Sequence, residues 1–296
     1  MPERPAEEEV SLRYRLEWLL VRFAFWLFRA LGRRRSSALG GWLARKVGPR
    51  LSAHKTAERN MARALPEIDA AERAVLLDRM WDNLGRNIGE LPFIGQLDFA
   101  SPDVELVGAN YLDEYARSGK AAFFVSAHFG PWEMCPSVGK HCQVPITIVY
   151  RAANNPLVDR FFQDQRHDPY STFVPKGKTG ALAIMRAVQK KGAIALLNDQ
   201  KLNQGLPIPF FGRDVMTAPA IGELACRYSL PIYPVKAERL PEGRFRVTVS
   251  APLDLPDTGD RQQDVIETLT RINEMYEDWI REKPDHWFWV HNRWSD

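Results

Sequence analysis

A histidine and a glutamate five residues apart, with glycine, proline and tryptophan between them, are the residues of this chain best suited to chemistry: His128-Phe129-Gly130-Pro131-Trp132-Glu133. An imidazole takes and returns protons near neutrality, and a carboxylate on one ring nitrogen fixes the tautomer and stabilises the imidazolium. Such a pair suits removal of a proton from a hydroxyl. The spacing alone carries little weight. Six histidines and 37 acidic residues in 296 give fewer than one such pair by chance, and His291 with Asp296 supplies a second on the C-terminal tail.

Context separates the two. The apolar run Phe123–Ala127 before His128 reads as a buried strand. Gly130 lets the backbone turn, Pro131 suits the first position of a helix, and Glu133 falls in its first turn beside the positive end of the dipole. The tail pair has neither a strand before it nor a helix after it.

Other chemistries lack residues to perform them. No Gly-x-Ser-x-Gly elbow is present and Ser126 lies inside the expected strand, which disfavours a covalent acyl-enzyme. His128 has no His-x-x-x-His neighbour and no clear third ligand, so no metal is expected. Neither a Walker loop nor Gly-x-Gly-x-x-Gly occurs, so nucleotide chemistry has no support. Cys135, Cys142 and Cys226 are odd in number and form no Cys-x-x-Cys; they read as small buried residues of a reducing compartment. What remains is direct transfer, in which His128 deprotonates an acceptor hydroxyl that attacks an activated carbonyl. Arg151, Lys176, Lys178, Lys201 and Arg213 are cations near strand ends that could hold phosphates.

The elements that must position these groups alternate from Val104 onward. Phe123–Ala127, Ile146–Tyr150, Thr172–Val174, Ala193–Asn198, Ile232–Ala237 and Phe245–Ser250 read as strands. Pro156–Arg166, Thr179–Lys190, Ala218–Tyr228 and a closing Gln262–Arg281 read as helices. This predicts an α/β fold with a mainly parallel twisted sheet flanked by helices. In such sheets reacting groups gather at the carboxyl ends of strands. His128, Tyr150-Arg151 and Asp199-Gln200 all stand there.

Residues 1 to about 100 read as helical: Leu16–Leu31, Ser36–Val47, Lys55–Ala64 and Asp69–Ile94. Between Ser11 and Asn60 there are twelve Lys or Arg against Glu17 and Glu58, although the net charge is only +3. Arg15, Arg22, Arg29 and Arg33 share one helical face beside Trp18, Phe23, Phe25 and Trp26. That pattern predicts a helix lying in a membrane interface, with arginines toward phosphate headgroups. Its aromatic content argues against nucleic acid. Residues 1–50 are therefore expected to form a membrane-associating helical region and 51–296 the catalytic domain. Four glutamates among the first ten residues argue against a cleavable signal peptide.

An ordered series of motifs resembles one family across nearly the whole chain. Besides His128–Glu133 it comprises Tyr150-Arg151-x-x-Asn154-Asn155-Pro156, Leu197-Asn198-Asp199-Gln200, Pro209-Phe210-Phe211-Gly212 with Thr217, and Trp287-x-Trp289-x-His291-x-Arg293-Trp294. The chain resembles the lipid A late acyltransferases, the lauroyl/myristoyl group within the glycerolipid acyltransferase fold. The resemblance implies an enzyme on the cytoplasmic face of a Gram-negative inner membrane. It would move a fatty acyl group from an acyl carrier protein or coenzyme A thioester, used as co-substrate with no other cofactor, to a hydroxyl of a lipid A precursor. It casts His128 as base and Glu133 as its partner, with Arg151 and Asp199 in or beside the acceptor pocket. The expected substrate-binding set is Gly130, Tyr150, Arg151, Asn155, Lys176, Asp199 and Gln200. Pro131 departs from the asparagine that members often carry there. A glycerophospholipid or other glycolipid acceptor, or a lipid-binding relative without turnover, is the alternative.

Overall fold

The computed structural model describes residues 11–97, 99–166 and 168–294, the side chain of Cys142 excepted. The first ten residues with their four glutamates, and Asp296 of the tail pair, lie outside that range.

Four helices come first: α1 (Leu12–Leu31), α2 (Arg33–Val47), α3 (Ser52–Ala64) and α4 (Ala70–Glu90). Ser11 caps α1 and Asp69 caps α4, where it accepts the N–H groups of Ala71 and Glu72 at 2.8 Å. Gly32, at φ 77° and ψ 158°, breaks the backbone between α1 and α2. The break overturns part of the expected arginine face. Arg33 leaves the line of Arg15, Arg22 and Arg29, becomes largely buried, and bonds the Asp103 carboxylate and the Gly243 carbonyl. The other three arginines stay on α1, with Arg22 over the Trp18 ring.

Beside those arginines α1 exposes Leu12, Leu16, Leu19, Leu20, Phe23 and Trp26, with Phe23 at 60% and Trp26 at 63%. Helical periodicity gathers these six into one stripe. The opposite side is the packed one, where Phe25 meets Phe161 and Phe162 of a later helix. Among the described residues no helix is long and apolar enough to cross a membrane.

α2 and α4 lie backbone to backbone. A Cβ on Gly40 would sit 2.2 Å from the Gly85 carbonyl oxygen, so only glycine permits the approach. The boundary expected at residue 50 thus follows a helix, α2, that packs directly against α4.

The α/β part runs β1 (Val104–Val107), α5 (Ala109–Ser118), β2 (Ala122–Ser126), α6 (Ser137–Cys142), β3 (Ile146–Tyr150), α7 (Pro156–Gln165), β4 (Ser171–Pro175), α8 (Lys178–Gln189) and β5 (Ala193–Leu197). It continues with β6 (Leu206–Phe210), β7 (Arg213–Thr217), α9 (Ala220–Tyr228), β8 (Ile232–Arg239), β9 (Phe245–Val249) and α10 (Arg261–Glu282). Seven strands form one sheet in the order β1-β9-β8-β2-β5-β3-β4. The run from β8 to β4 is parallel throughout; β9 pairs antiparallel with β8, and β1 follows β9 in parallel. The expected mainly parallel α/β sheet is therefore what forms.

Strand alternation divides the core. Phe123, Val125 and Ala127 point into a layer with α4, α9 and α10, whereas Ala122 and Phe124 point into one with α5 and α6. The β6–β7 hairpin, which the strand reading did not include, stands apart as a two-stranded sheet. Its turn sets Phe211 and Gly212 at φ 50° and 67°, the left-handed region that two-residue hairpins demand. The Phe-Phe-Gly motif is this turn, and Phe210 stacks on Trp294 of the tail at 5.5 Å.

Candidate active site

Strand order decides which groups meet. β5 lies between β2 and β3, so across the carboxyl edge the sequence is His128 after β2, Asp199-Gln200-Lys201 after β5, Tyr150-Arg151 at β3, and Lys176 after β4. The three expected polar clusters do share one edge, and Asp199 is the immediate neighbour of His128.

That neighbour replaces the expected one. The Nδ1 of His128 lies 2.8 Å from Oδ1 of Asp199, and the His128 backbone N–H donates to Oδ2 at 2.9 Å. Trp287 Nε1–H gives Oδ2 another hydrogen bond at 2.9 Å. Glu133 was expected to orient His128, but its carboxylate is held by the Arg166 guanidinium, with Nε donating to Oε2 at 2.9 Å and Nη2 to Oε1. The local reason is the turn. Pro131 takes φ −85° and ψ 60° ahead of a three-residue 3-10 turn, Trp132–Met134, instead of opening an α-helix. Glu133 thereby lines a narrow cleft with Leu91, Ile94, Leu97, Arg166 and Phe173.

Asp199 is 2% exposed. Burial alone would raise its pKa, but the His128 ring, the His128 backbone N–H and the Trp287 indole outweigh it and hold the carboxyl down to about 2. An ionised Asp199 requires the hydrogen on Nδ1 and leaves Nε2 as the basic atom. Gln200 Nε2 approaches that atom at 3.3 Å, as a donor would. Trp132 and Phe288 wall the imidazole at centroid distances of 5.4 and 5.7 Å.

The loop is pinned from beneath. Gly130 takes φ 52°, and a Cβ there would strike the Ala237 carbonyl oxygen at 2.3 Å, so the expected glycine turn is a steric requirement. Its N–H donates to the His286 carbonyl at 2.8 Å, and its carbonyl accepts from Asn87 Nδ2 at 2.7 Å. Arg239 in turn bonds Asn87, Asn83 and Glu90. Phe288 N–H closes onto the His128 carbonyl at 3.0 Å. The tail motif is thus a strap over the site: Trp287, Trp289, Arg293 and Trp294 are buried, and Arg293 donates to the Met216 carbonyl and to Thr217.

The remaining expected residues divide. The Tyr150 hydroxyl donates to Asp159 at 2.9 Å and accepts from Gln163; burial, then Asp159, pushes it up to about 12, so it is engaged with α7. Asn155 is buried as the cap of α7, where its Oδ1 accepts from Leu157 N–H at 3.0 Å, and its Nδ2 donates to the Tyr14 carbonyl and to Glu17 of α1. That makes Asn155 a joint between α1 and the sheet. Arg151 and Lys176 are exposed at the carboxyl edge. Sequence reasoning missed Trp287, Arg166 and Asn87. Trp287 stood within a recognised motif without a role, while Arg166 and Asn87 carried no signal beyond residue type. Cys135 and Cys226 are half-buried free thiols, and among the described residues no histidine, cysteine or carboxylate cluster could hold a metal.

A buried carboxylate, a histidine whose Nε2 meets only Gln200 among the described residues, and cations along the same sheet edge are together the groups that proton transfer beside an anionic substrate would need. Comparison with known proteins gives the family. A lipid A biosynthesis acyltransferase of Haemophilus influenzae is 21% identical to this chain over 281 residues, covering 92% of this chain and 84% of the relative. The family model for bacterial lipid A biosynthesis acyltransferases matches residues 6–296. The chain belongs to the bacterial lipid A biosynthesis acyltransferase family.

Proposed function

We propose that the protein transfers a fatty acyl group from the thioester of acyl carrier protein or coenzyme A to a hydroxyl of a lipid A precursor, forming an ester. The observation that carries this reading is His128 held by Asp199 through Nδ1, in a chain of this family. His128 Nε2 takes the proton of the acceptor hydroxyl as its oxygen attacks the thioester carbonyl. The carbon–sulfur bond breaks, and the imidazolium returns the proton to the departing thiolate. Asp199 stabilises the imidazolium throughout. Glu133 and Arg166 act together as a paired wall of the neighbouring cleft.

The reading puts the reaction at the cytoplasmic face of the inner membrane, and the surface of α1 supports the membrane part of it. The α1 stripe of Leu12, Leu16, Leu19, Leu20, Phe23 and Trp26 is exposed among the described residues, and Arg15, Arg22 and Arg29 run beside it. Apolar side chains at acyl depth with guanidinium groups at phosphate depth fit a helix lying flat in an anionic leaflet.

One experiment tests both parts. Purified protein is given acyl carrier protein thioesters and a lipid A precursor in anionic vesicles, and the products are read by mass spectrometry. Wild type adds one acyl chain; His128→Ala loses about 10³ in rate; Phe23→Glu/Trp26→Glu no longer floats with the vesicles. Full turnover by His128→Ala removes the mechanism, and full retention of the α1 variant removes the membrane role.

A further inference from the structure

At the carboxyl edge beyond Gln200 lies a recess of about 380 Å³ lined by Lys176, Lys201, Asn203, Gln204, His291 and Asn292, with Leu202. From its lining and its neighbours we infer that it binds a phosphate ester carried by one of the two substrates. This rests on the acyl-transfer reading for the identity of the substrates.

The lining contains no acid. Neither lysine ammonium has a carboxylate partner among the described residues, although ion pairs are frequent elsewhere on the molecule. The uncharged groups are turned to donate as well. His291 Nε2 accepts the Lys201 backbone N–H at 3.1 Å. Burial holds this imidazole neutral, pushed down to about 4, so its one ring proton sits on Nδ1. Asn292 gives its amide oxygen to Arg59 Nη2 at 3.1 Å, which leaves the amide N–H2 for the recess. Arg151, exposed at the end of β3, stands near enough for its charge to bear on His291. Two ammonium groups with imidazole and amide N–H donors match the charge and the several oxygens of a phosphate ester. The recess opens broadly to solvent, so a sugar or pantetheine arm attached to the phosphate can extend out of it.

Position ties the recess to the reaction. Lys201 follows Gln200, which touches His128 Nε2, and His291 is three residues beyond Phe288, whose N–H bonds the His128 carbonyl. A phosphate held here fixes its substrate a short, defined span from the base.

Two molecules carry such a phosphate: the phosphorylated glucosamine disaccharide of the acceptor and the phosphopantetheine arm of the donor. Binding is measured by calorimetry on the full chain carrying His128→Ala, so that no turnover is required. The probes are an acylated glucosamine disaccharide with and without its phosphates, and acyl-phosphopantetheine against acyl-pantetheine. Adding Lys176→Ala/Lys201→Ala is expected to weaken one phosphorylated probe about tenfold or more, as loss of charge-assisted bonds should, and to leave its dephosphorylated twin unchanged. The affected pair identifies the source. Lys176→Ala alone, at an exposed position, gives a smaller loss on the same probe, and Lys190→Ala gives none. Equal losses with and without phosphate, or no loss in either pair, overturn the proposal. Phosphate-dependent binding by a wild-type protein that transfers no acyl group would overturn the acyl-transfer reading and leave the recess standing.

Discussion

Two carboxylates flank His128 in different senses, Glu133 in sequence and Asp199 in space, and they are held in contrasting ways. Asp199 is almost wholly buried and receives three N–H donors, two from His128 itself and one from Trp287. The Glu133 side chain is 19% exposed and is clamped by a single guanidinium that is itself 24% exposed. A buried, fully satisfied carboxylate cannot be reassigned without loss of fold or function. A partly exposed ion pair at a cleft wall can open, exchange partners or meet substrate. On the proposed mechanism, the difference separates an acid that orients the base from an acid that shapes what approaches it.

The largest effect expected from this contrast is that of Asp199→Asn. Two donors converge on Oδ2, so the amide oxygen must take that place. The amide N–H2 then faces Nδ1, which becomes an acceptor, and the imidazole proton moves to Nε2. The base is thereby removed with little change in volume, and kcat should fall by about 10³, as far as in His128→Ala. Steady-state rates on a variant with unchanged circular dichroism, with the His128 tautomer read from ¹⁵N shifts, check this. A rate within tenfold of wild type would show that another group orients His128.

Glu133→Gln should cost less, about 10- to 100-fold, because the amide oxygen still accepts from Arg166 while the ion pair is weakened. Glu133→Gln with Arg166→Gln should be no worse than the more damaging single change, since the two act as a unit. If Glu133→Gln costs as much as Asp199→Asn and the double variant is additive, Glu133 acts on His128 directly and the contrast between the two acids is lost.

The same contrast explains what could be read in the sequence. The strand before His128, the Gly130 turn and the gathering of Asp199, Arg151 and Lys176 at one edge were legible, because apolar runs bounded by polar strand ends are local features. The partnership of His128 with Asp199 was not. It depends on β5 inserting between β2 and β3, an order that no local spacing encodes. Five residues of separation favoured Glu133, and the 3-10 turn at Trp132–Met134 then sent its side chain to Arg166. The β6–β7 hairpin was hidden because Pro207 and Pro209 dilute a strand pattern, and they are tolerated here because each strand of a two-stranded sheet keeps one unpaired edge. Arg33 joined an expected arginine face because helical spacing is blind to the break at Gly32. Family motifs located Trp287 without a role and set Asn155 among the substrate-binding residues, whereas Asn155 caps α7 and bonds α1, since a motif fixes position and not hydrogen-bond partner.

The smallest effect extends the contrast from His128 to the second edge histidine and is a matter of stability. His291 stays neutral in the fold because burial pushes it from 6.5 down to about 4. Between those two values the unfolded chain binds a proton that the folded chain does not, so stability falls as pH drops from 6.5 toward 4 and this contribution is flat below 4. Asp199 acts in a separate window. Its pKa falls from 3.8 to about 2 in the fold, so the stability it contributes is complete above 3.8 and is lost as pH drops from there toward 2. Urea midpoints taken across pH 2 to 8 should therefore show two acid-side slopes in wild type. His291→Gln should flatten the upper one and Asp199→Asn the lower; because the Asp199 charge holds the His291 pKa up, Asp199→Asn should also carry the upper slope further toward acid. If His291→Gln leaves the slope between pH 6.5 and 4 unchanged, the ring is protonated in the fold. Its Nε2 could not then accept the Lys201 N–H, and the tautomer assigned to the recess would be wrong.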